Sequence, residues 1–428
     1  MPQDFDQEHI RLKQAVDELV VLNQIANTIN ALMSVEQITQ TIVEHCLKRV
    51  QASQGAVFLL EEREKQVDRF KTFVRQFSQT STNIPFSLNE SLTGWMIKHK
   101  TMLVSNDPES DERFRGINLA KMEIRSILAA PLLSRGGLLG TLVMFNKKDA
   151  GGFSENDKRF LGIVGTQTAK VIENAKLHEQ EKQLISIREE IKVAQLIQRG
   201  FLPKTGLSLQ SCEICGVNVP AKEVGGDFYD MVKLDEDRVF LSLGDVSGKG
   251  IPAALLMANA QAVLRSQLFR TGESRLIDLA DSLNLLIHQF SGPEQFITTV
   301  FGLFECRSKI FRYINAGHPP PLIVKKDGQI IRLTDADLVI GIMPGYKFTP
   351  LETSLEAGDI LCLYSDGIIE AFSAAEEEFG EERMAKVLVE HRADEIPVIC
   401  TKMIEDISSF RKNVTQSDDI TMVILRVR

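Results

Sequence analysis

Twice in the second half of this chain an apolar run stops at a carboxylate beside glycine: LSLGDVSGKG, ending at Gly250, and LCLYSDG, ending at Gly367. Both read as a β-strand closing in a tight turn, since glycine adopts backbone angles that other residues resist. SDDITMVIL inverts the order and sets Asp418 and Asp419 just before a strand, and VGGDFYD puts Asp227 behind a glycine pair. Taken singly, each motif is an ordinary Asp-Gly type of turn. Taken together, they predict strands whose ends carry aspartates on rigid backbone. Such aspartates suit hard divalent cations, which take oxygen ligands.

At 428 residues the chain has room for two or three domains. Apolar residues at 43% and charged residues at 25% are globular values, which excludes wholesale disorder. A net charge of -9 argues against a nucleic-acid partner held by phosphate neutralisation. The opening MPQDFDQEHI is unlike a signal peptide and no apolar run reaches membrane-spanning length, so a cytoplasmic protein with no membrane partner is expected. Six cysteines in a chain this long do not make a disulfide framework. Cys212 and Cys215 form a C-x-x-C, but no second pair completes four metal ligands, and positions three apart on a strand face opposite sides. Both are read as structural.

Four segments are expected. Residues 1–33 read as an N-terminal helix, with Leu12, Val16, Leu19, Leu22, Ile25, Ile29 and Leu32 at three- and four-residue steps. Residues 34–176 alternate helix and strand, and end in a helix with Ser154 as its N-cap. Residues 177–203 continue that helix: Leu177, Leu184 and Ile191 repeat every seven residues, as do Ile187, Ala194 and Phe201. Two interleaved heptad positions predict a short coiled coil and hence a homodimer, against a helix packed on its own domain. Residues 204–428 are strand-rich with helices between, an α+β sandwich of antiparallel sheets flanked by helices.

From Leu202 onward the ordered motifs VGGDFYD, GDVSGKGIPAALLMA, TTVFGLFE, NAGHPPPLIV, LYSDGIIEAF and SDDITMVIL resemble the PPM family of metal-dependent serine/threonine protein phosphatases, in its SpoIIE-type branch. SLTGWMIKHKTMLVSNDPESDERF, SILAAPLL and the closing helix of the first region resemble a GAF sensor domain. NKKDAGGFSENDK also approaches the NK…F-x-x-x-D-E signature of cyclic-nucleotide-binding GAF domains at Asn146, Lys147, Phe153 and Asp157, but Lys158 stands where the final Glu would be. The resemblance implies an α-β-β-α phosphatase sandwich, an α/β sensor domain with an unknown small ligand, and two Mn²⁺ or Mg²⁺ ions.

The same resemblance implies the site. Asp245 would bridge both metals; Asp227 and the Val246 carbonyl would hold one ion, and Asp366 and Asp418 the other, while Asp419 would orient water or a loop. Lys249 stands where many relatives carry His. It would bind phosphate, or protonate the leaving oxygen if its pKa is lowered, or stand as a solvated loop cation. His318 reads as structural. Asp235-Glu-Asp237-Arg-Val239 fits the D-x-D-x-[TV] motif of haloacid-dehalogenase phosphatases, but lies between two strand patterns and reads as a hairpin turn. The implied substrate is a phosphorylated STAS-type anti-anti-sigma protein. The alternative from another class is a catalytically silent dimeric GAF scaffold that binds a signalling partner.

Overall fold

The structure, a computed structural model, describes residues 34–60, 70–76, 94–116, 119, 123–271, 276–290, 292 and 294–428. The helix expected at 1–33 lies outside them. The chain divides into two units, Met1–Ser186 and Ile187–Arg428. Among the described residues no helix is long and apolar enough to cross a membrane.

The first unit opens with helix α1 (Val35–Val50), started by a reciprocal cap. Ser34 Oγ accepts from the Gln37 amide at 3.3 Å, and Gln37 Oε1 accepts from the Ser34 amide at 3.0 Å. Its sheet has the order β2-β1-β5-β4-β3 and is antiparallel throughout, from β1 (Ala52–Leu60), β2 (Phe70–Gln76), β3 (Leu103–Ser105), β4 (Ile127–Ser134) and β5 (Gly137–Lys147). Alternation sorts the strands: Leu142 and Met144 pack against α1, while Val143 and Phe145 join Phe58 and Phe114 on the other face.

Helix α2 (Glu155–Phe201) begins where expected, with the Asp157 amide donating to Ser154 Oγ at 3.2 Å. Phe160, Leu161, Val164 and Ile172 bury its first turns against the same core as α1. Further along, its large apolar side chains stay exposed, by 57% at Leu177, 60% at Leu184 and 68% at Leu196.

The near-match to a nucleotide signature has a structural occupation. Asn146 donates to the Glu123 carbonyl at 2.8 Å and accepts from the Arg125 amide at 2.7 Å. Lys147 Nζ reaches Asp157 at 3.0 Å and the Val50 carbonyl at 2.8 Å, tying β5 to α1 and α2.

The second unit has four layers. One sheet runs β14-β11-β10-β9-β8, from β8 (Phe228–Lys233), β9 (Arg238–Val246), β10 (Ile297–Glu305), β11 (Ile310–Ala316) and β14 (Leu351–Ser354). The other runs β13-β12-β15-β16-β7-β6, from β6 (Leu207–Ser208), β7 (Cys212–Val219), β12 (Leu322–Val324), β13 (Ile330–Arg332), β15 (Ile360–Tyr364) and β16 (Ile420–Val427). Helices α3 (Ile251–Thr271) and α4 (Leu276–Phe290) cover the first sheet. After the short α5 (Asp366–Ile369), α6 (Gly380–Glu390) and α7 (Ile396–Arg411) cover the second. This is the expected α-β-β-α sandwich.

Period-two alternation places the site. Val239, Leu241 and Leu243 of β9 face the core between the sheets, as do Tyr229 and Met231 of β8, Leu361 and Leu363 of β15, and Val423 and Leu425 of β16. One step beyond each inward row, at a single rim, stand Asp227, Asp245, Ser365 and Thr421. The core runs out there, and polar side chains take over the same positions.

Asp157 provides a test of the first unit. Asp157→Ala leaves the Lys147 ammonium, 10% exposed, without its carboxylate. Breaking such a pair costs about 3–5 kcal/mol. Trp95, the chain's single tryptophan, lies in this unit and reports its unfolding by fluorescence. The denaturation midpoint is expected to fall well below that of the unaltered protein.

Candidate metal centre

Hydrogen bonds close the rim. The hydroxyl of Thr421, opening β16, donates to Asp227 and so ties the two sheets together. Ser365, ending β15, donates through Oγ to the Asp419 carbonyl at 3.2 Å and accepts from the Thr421 amide at 3.0 Å. Asp419 is a bracket: its carboxylate accepts from the amides of Ala221 at 2.8 Å, Gly226 at 2.9 Å and Asp227 at 3.3 Å. It therefore shapes the loop that presents Asp227, a role that the doubled Asp before a strand only hints at. Gln198, near the end of α2, grips the same loop: its amide donates to the Gly225 carbonyl at 2.7 Å and accepts from the Gly225 amide at 3.2 Å. No local sequence signal announces Gln198 or Thr421, because their partners are far away in sequence.

Gly226 makes room for the acidic cluster. A Cβ there would meet the Val246 carbonyl oxygen at 2.8 Å and Asp245 Oδ1 at 3.2 Å. In the turn after β9, Gly248 and Gly250 have φ of +92° and +78°, a region that favours glycine, and Lys249 projects between them. Its ammonium donates to Asp418 Oδ2 and to the Ser417 carbonyl, each at 2.8 Å.

The electrostatics follow from burial and crowding. Burial, and then the charge of Asp245, push the Asp227 carboxyl well above the usual range. Burial followed by Asp366 and Asp418 raises Asp245 to about 7, and burial followed by Asp418 raises Asp366. Glu370, which the motif reading did not single out, is raised by burial and by Asp366. The hydrogen bond to Asp418 raises Lys249, the opposite of the shift that would make it a ready proton donor. His318 is buried, with Nδ1 3.0 Å from Thr298 Oγ1, and burial holds it neutral with a pKa of about 3.

The structure thus brings Asp227, Asp245, Val246, Lys249, Asp366 and Asp418 to one rim. Among the described residues, no three His, Cys, Asp or Glu side chains are already gathered closely enough to hold an ion. Asp418 is instead paired with Lys249. The donor set still fits hard divalent cations: it is all oxygen, it is short of positive charge, and the space at Gly226 admits a main-chain carbonyl. Asp235 sits elsewhere, in the β8–β9 turn, accepting from the amides of Asp237 at 2.8 Å and Arg238 at 2.7 Å. The haloacid-dehalogenase motif is a turn.

Residues 235–428 match the family described as stage II sporulation protein E (SpoIIE). The phosphoserine phosphatase RsbU of Bacillus subtilis is 31% identical over 241 residues, covering 56% of this chain and 70% of RsbU. The chain belongs to the SpoIIE-type PPM phosphatases. It also carries a GAF domain, matched over residues 33–173. Protein IcfG of Synechocystis is 30% identical over 261 residues, covering 55% of this chain and 41% of IcfG. The SiaA-PP2C domain of Pseudomonas aeruginosa shares the fold at a TM-score of 0.51 and 20% identity, covering 57% of this chain and 98% of that domain. As a SpoIIE-type phosphatase the protein is a hydrolase of a metal-dependent family.

The space at Gly226 can be tested directly. Gly226→Ala drives a methyl group into the Val246 carbonyl, and Mn²⁺ affinity measured by calorimetry is expected to fall about 10- to 100-fold, as for other residues that support metal ligands. Circular dichroism should report a folded protein.

Proposed function

We propose that this protein is a sensor-regulated phosphatase that hydrolyses phosphoserine or phosphothreonine on a partner protein, using two Mn²⁺ or Mg²⁺ ions to activate water. The observation that carries the reading is the crowding of Asp227, Asp245, Asp366 and Asp418 at one rim of the sandwich, short of positive charge. Asp245 would bridge the ions, Asp227 and the Val246 carbonyl would hold one, and Asp366 and Asp418 the other. When bound, the two ions would lower the pKa of water and neutralise phosphoryl oxygens.

The chain's own residues then have definite tasks. Asp419 and Thr421 hold Asp227 in place, and Ser365 holds the strand end that leads to Asp366. Lys249, kept charged by Asp418, balances the acidic cluster and attracts a phosphate rather than releasing a proton. No protein nucleophile is required, so hydrolysis is direct.

The substrate we propose is a phosphorylated STAS-type anti-anti-sigma protein in the cytoplasm. The resemblance of the motifs and the similarity to RsbU support this choice. We also propose that the GAF domain binds a small ligand and that the exposed apolar residues of 177–203 pair with a second copy in a parallel homodimer. The grip of Gln198 on Gly225 gives a displacement of α2 a route to the loop carrying Asp227. A ligand need favour one arrangement by only a few kcal/mol to change activity.

Two experiments test these readings. With a phosphoserine peptide and Mn²⁺, Asp245→Asn is expected to abolish phosphate release while leaving the fold intact, and Lys249→Ala to lose about 10- to 100-fold. Full activity in Asp245→Asn would rule out the two-metal site. For the helix, Leu184→Glu/Ile191→Glu would bury repulsion in both strands, so sedimentation and turnover are expected to change together. A monomer with unchanged turnover would make the helix a tether only.

A further inference from the structure

The C-x-x-C of strand β7 takes no part in the metal centre, and its two thiols lead separate lives. Cys212 turns inward and meets Cys306, just beyond β10, in the core between the sheets. Cys215 turns outward and packs against the core under α7, where its thiol is within hydrogen-bonding reach of Cys400. The C-x-x-C spacing therefore joins neither thiol to the other. It gives each a partner from a distant part of the chain.

The two contacts differ in access and in chemistry. Of the six cysteines, all unbonded, Cys215 alone is not fully buried. The Cys400 contact lowers the Cys215 thiol against the opposing effect of burial, and the same contact together with burial raises Cys400, so Cys215 is the sulfur of the pair that gives up its proton more readily. In the inner pair, burial pushes Cys212 up to about 12 and raises Cys306 as well. One pair is shielded and protonated. The other combines a half-buried nucleophilic sulfur with a second thiol beside it.

We propose that Cys215 and Cys400 are a redox modification site, which a two-electron oxidant such as a peroxide converts into an intrachain disulfide between β7 and α7. The Cys215 thiolate attacks one peroxide oxygen, and the O–O bond breaks to release hydroxide, which takes a proton to become water. The resulting sulfenic acid is attacked by the Cys400 sulfur, which gives up its proton, and a second water leaves as the S–S bond forms. Two thiols lose two electrons and two protons in all, and the peroxide is reduced to two waters. The bond would fasten α7 to β7, beside the edge strand β6 of its sheet, and constrain the unfolded chain over most of the unit.

The test uses the full-length protein, reduced, desalted and exposed to a small excess of hydrogen peroxide at about pH 7.5. It is then alkylated in denaturant and its peptides are mapped without reduction. The expected result is a Cys215–Cys400 cross-linked peptide, with Cys46, Cys212, Cys306 and Cys362 alkylated, and a melting temperature above that of the reduced protein. In Cys400→Ala, dimedone should trap Cys215 as sulfenic acid and no cross-link should form. All six cysteines alkylated after oxidation, or a bond from Cys215 to Cys212 or to another chain, would overturn the proposal. The map of the unaltered protein decides the matter even where the variant fails to fold.

Discussion

Carboxylates taken partly or wholly out of water within reach of one another's charge are the constraint on which the second unit turns. Such groups resist ionisation because neither solvent nor an opposite charge stabilises them. Asp227 is the extreme case, 3% exposed, with Thr421 as a hydrogen-bond donor and Asp245 as a neighbouring charge. The surrounding structure resists that repulsion. Asp419 receives three main-chain amides, Ser365 binds two strand ends, and Lys249 takes hold of Asp418. A cluster of this kind is held open by its scaffold and becomes comfortable when positive charge arrives. That is a sound basis for binding a dication from solution.

Much of this was legible in the residues. A strand that alternates inward and outward and then ends in Asp-Gly has to put that aspartate on one face or the other. In β9 the row Val239, Leu241, Leu243 leads straight to Asp245. The GDVSGKG turn was legible for the same reason: Gly248 and Gly250 occupy backbone angles that other residues avoid. Bracing residues were only partly legible. The motif resemblance already implied that Asp419 orients water or a loop, but Gln198 and Thr421 act on partners from distant segments, and a glutamine in a helix or a threonine in a strand carries no local mark of that. Lys249 was visible, but the direction of its pKa depends on Asp418 standing beside it, which only the folded chain provides.

Helix α2 shows how one element can answer to two demands. Over its first turns the apolar positions serve the core of the first unit; from Leu177 onward similar residues face outward. Its last residues serve the second unit again. Arg265 donates to the Phe201 carbonyl at 3.1 Å while its guanidinium pairs with the buried Asp230, and Gln261 reaches the same carbonyl at 3.0 Å. A heptad pattern reads only the middle of such a helix. The ends belong to the folds they enter.

The position of β16 has a consequence for how the protein is made. This strand lies between β15 and β7 in its sheet, and the segment leading into it supplies Asp418, Asp419 and Thr421. It is nevertheless translated after every strand it pairs with. A growing chain can assemble the other sheet and its helices on the ribosome while a slot stays open in this one. Non-local pairings of this kind form slowly and leave strand edges exposed until they close. The acidic rim is complete only when β16 fills the slot, so a nascent or prematurely terminated chain leaves Asp227 and Asp245 without Asp418, Asp419 and Thr421 beside them.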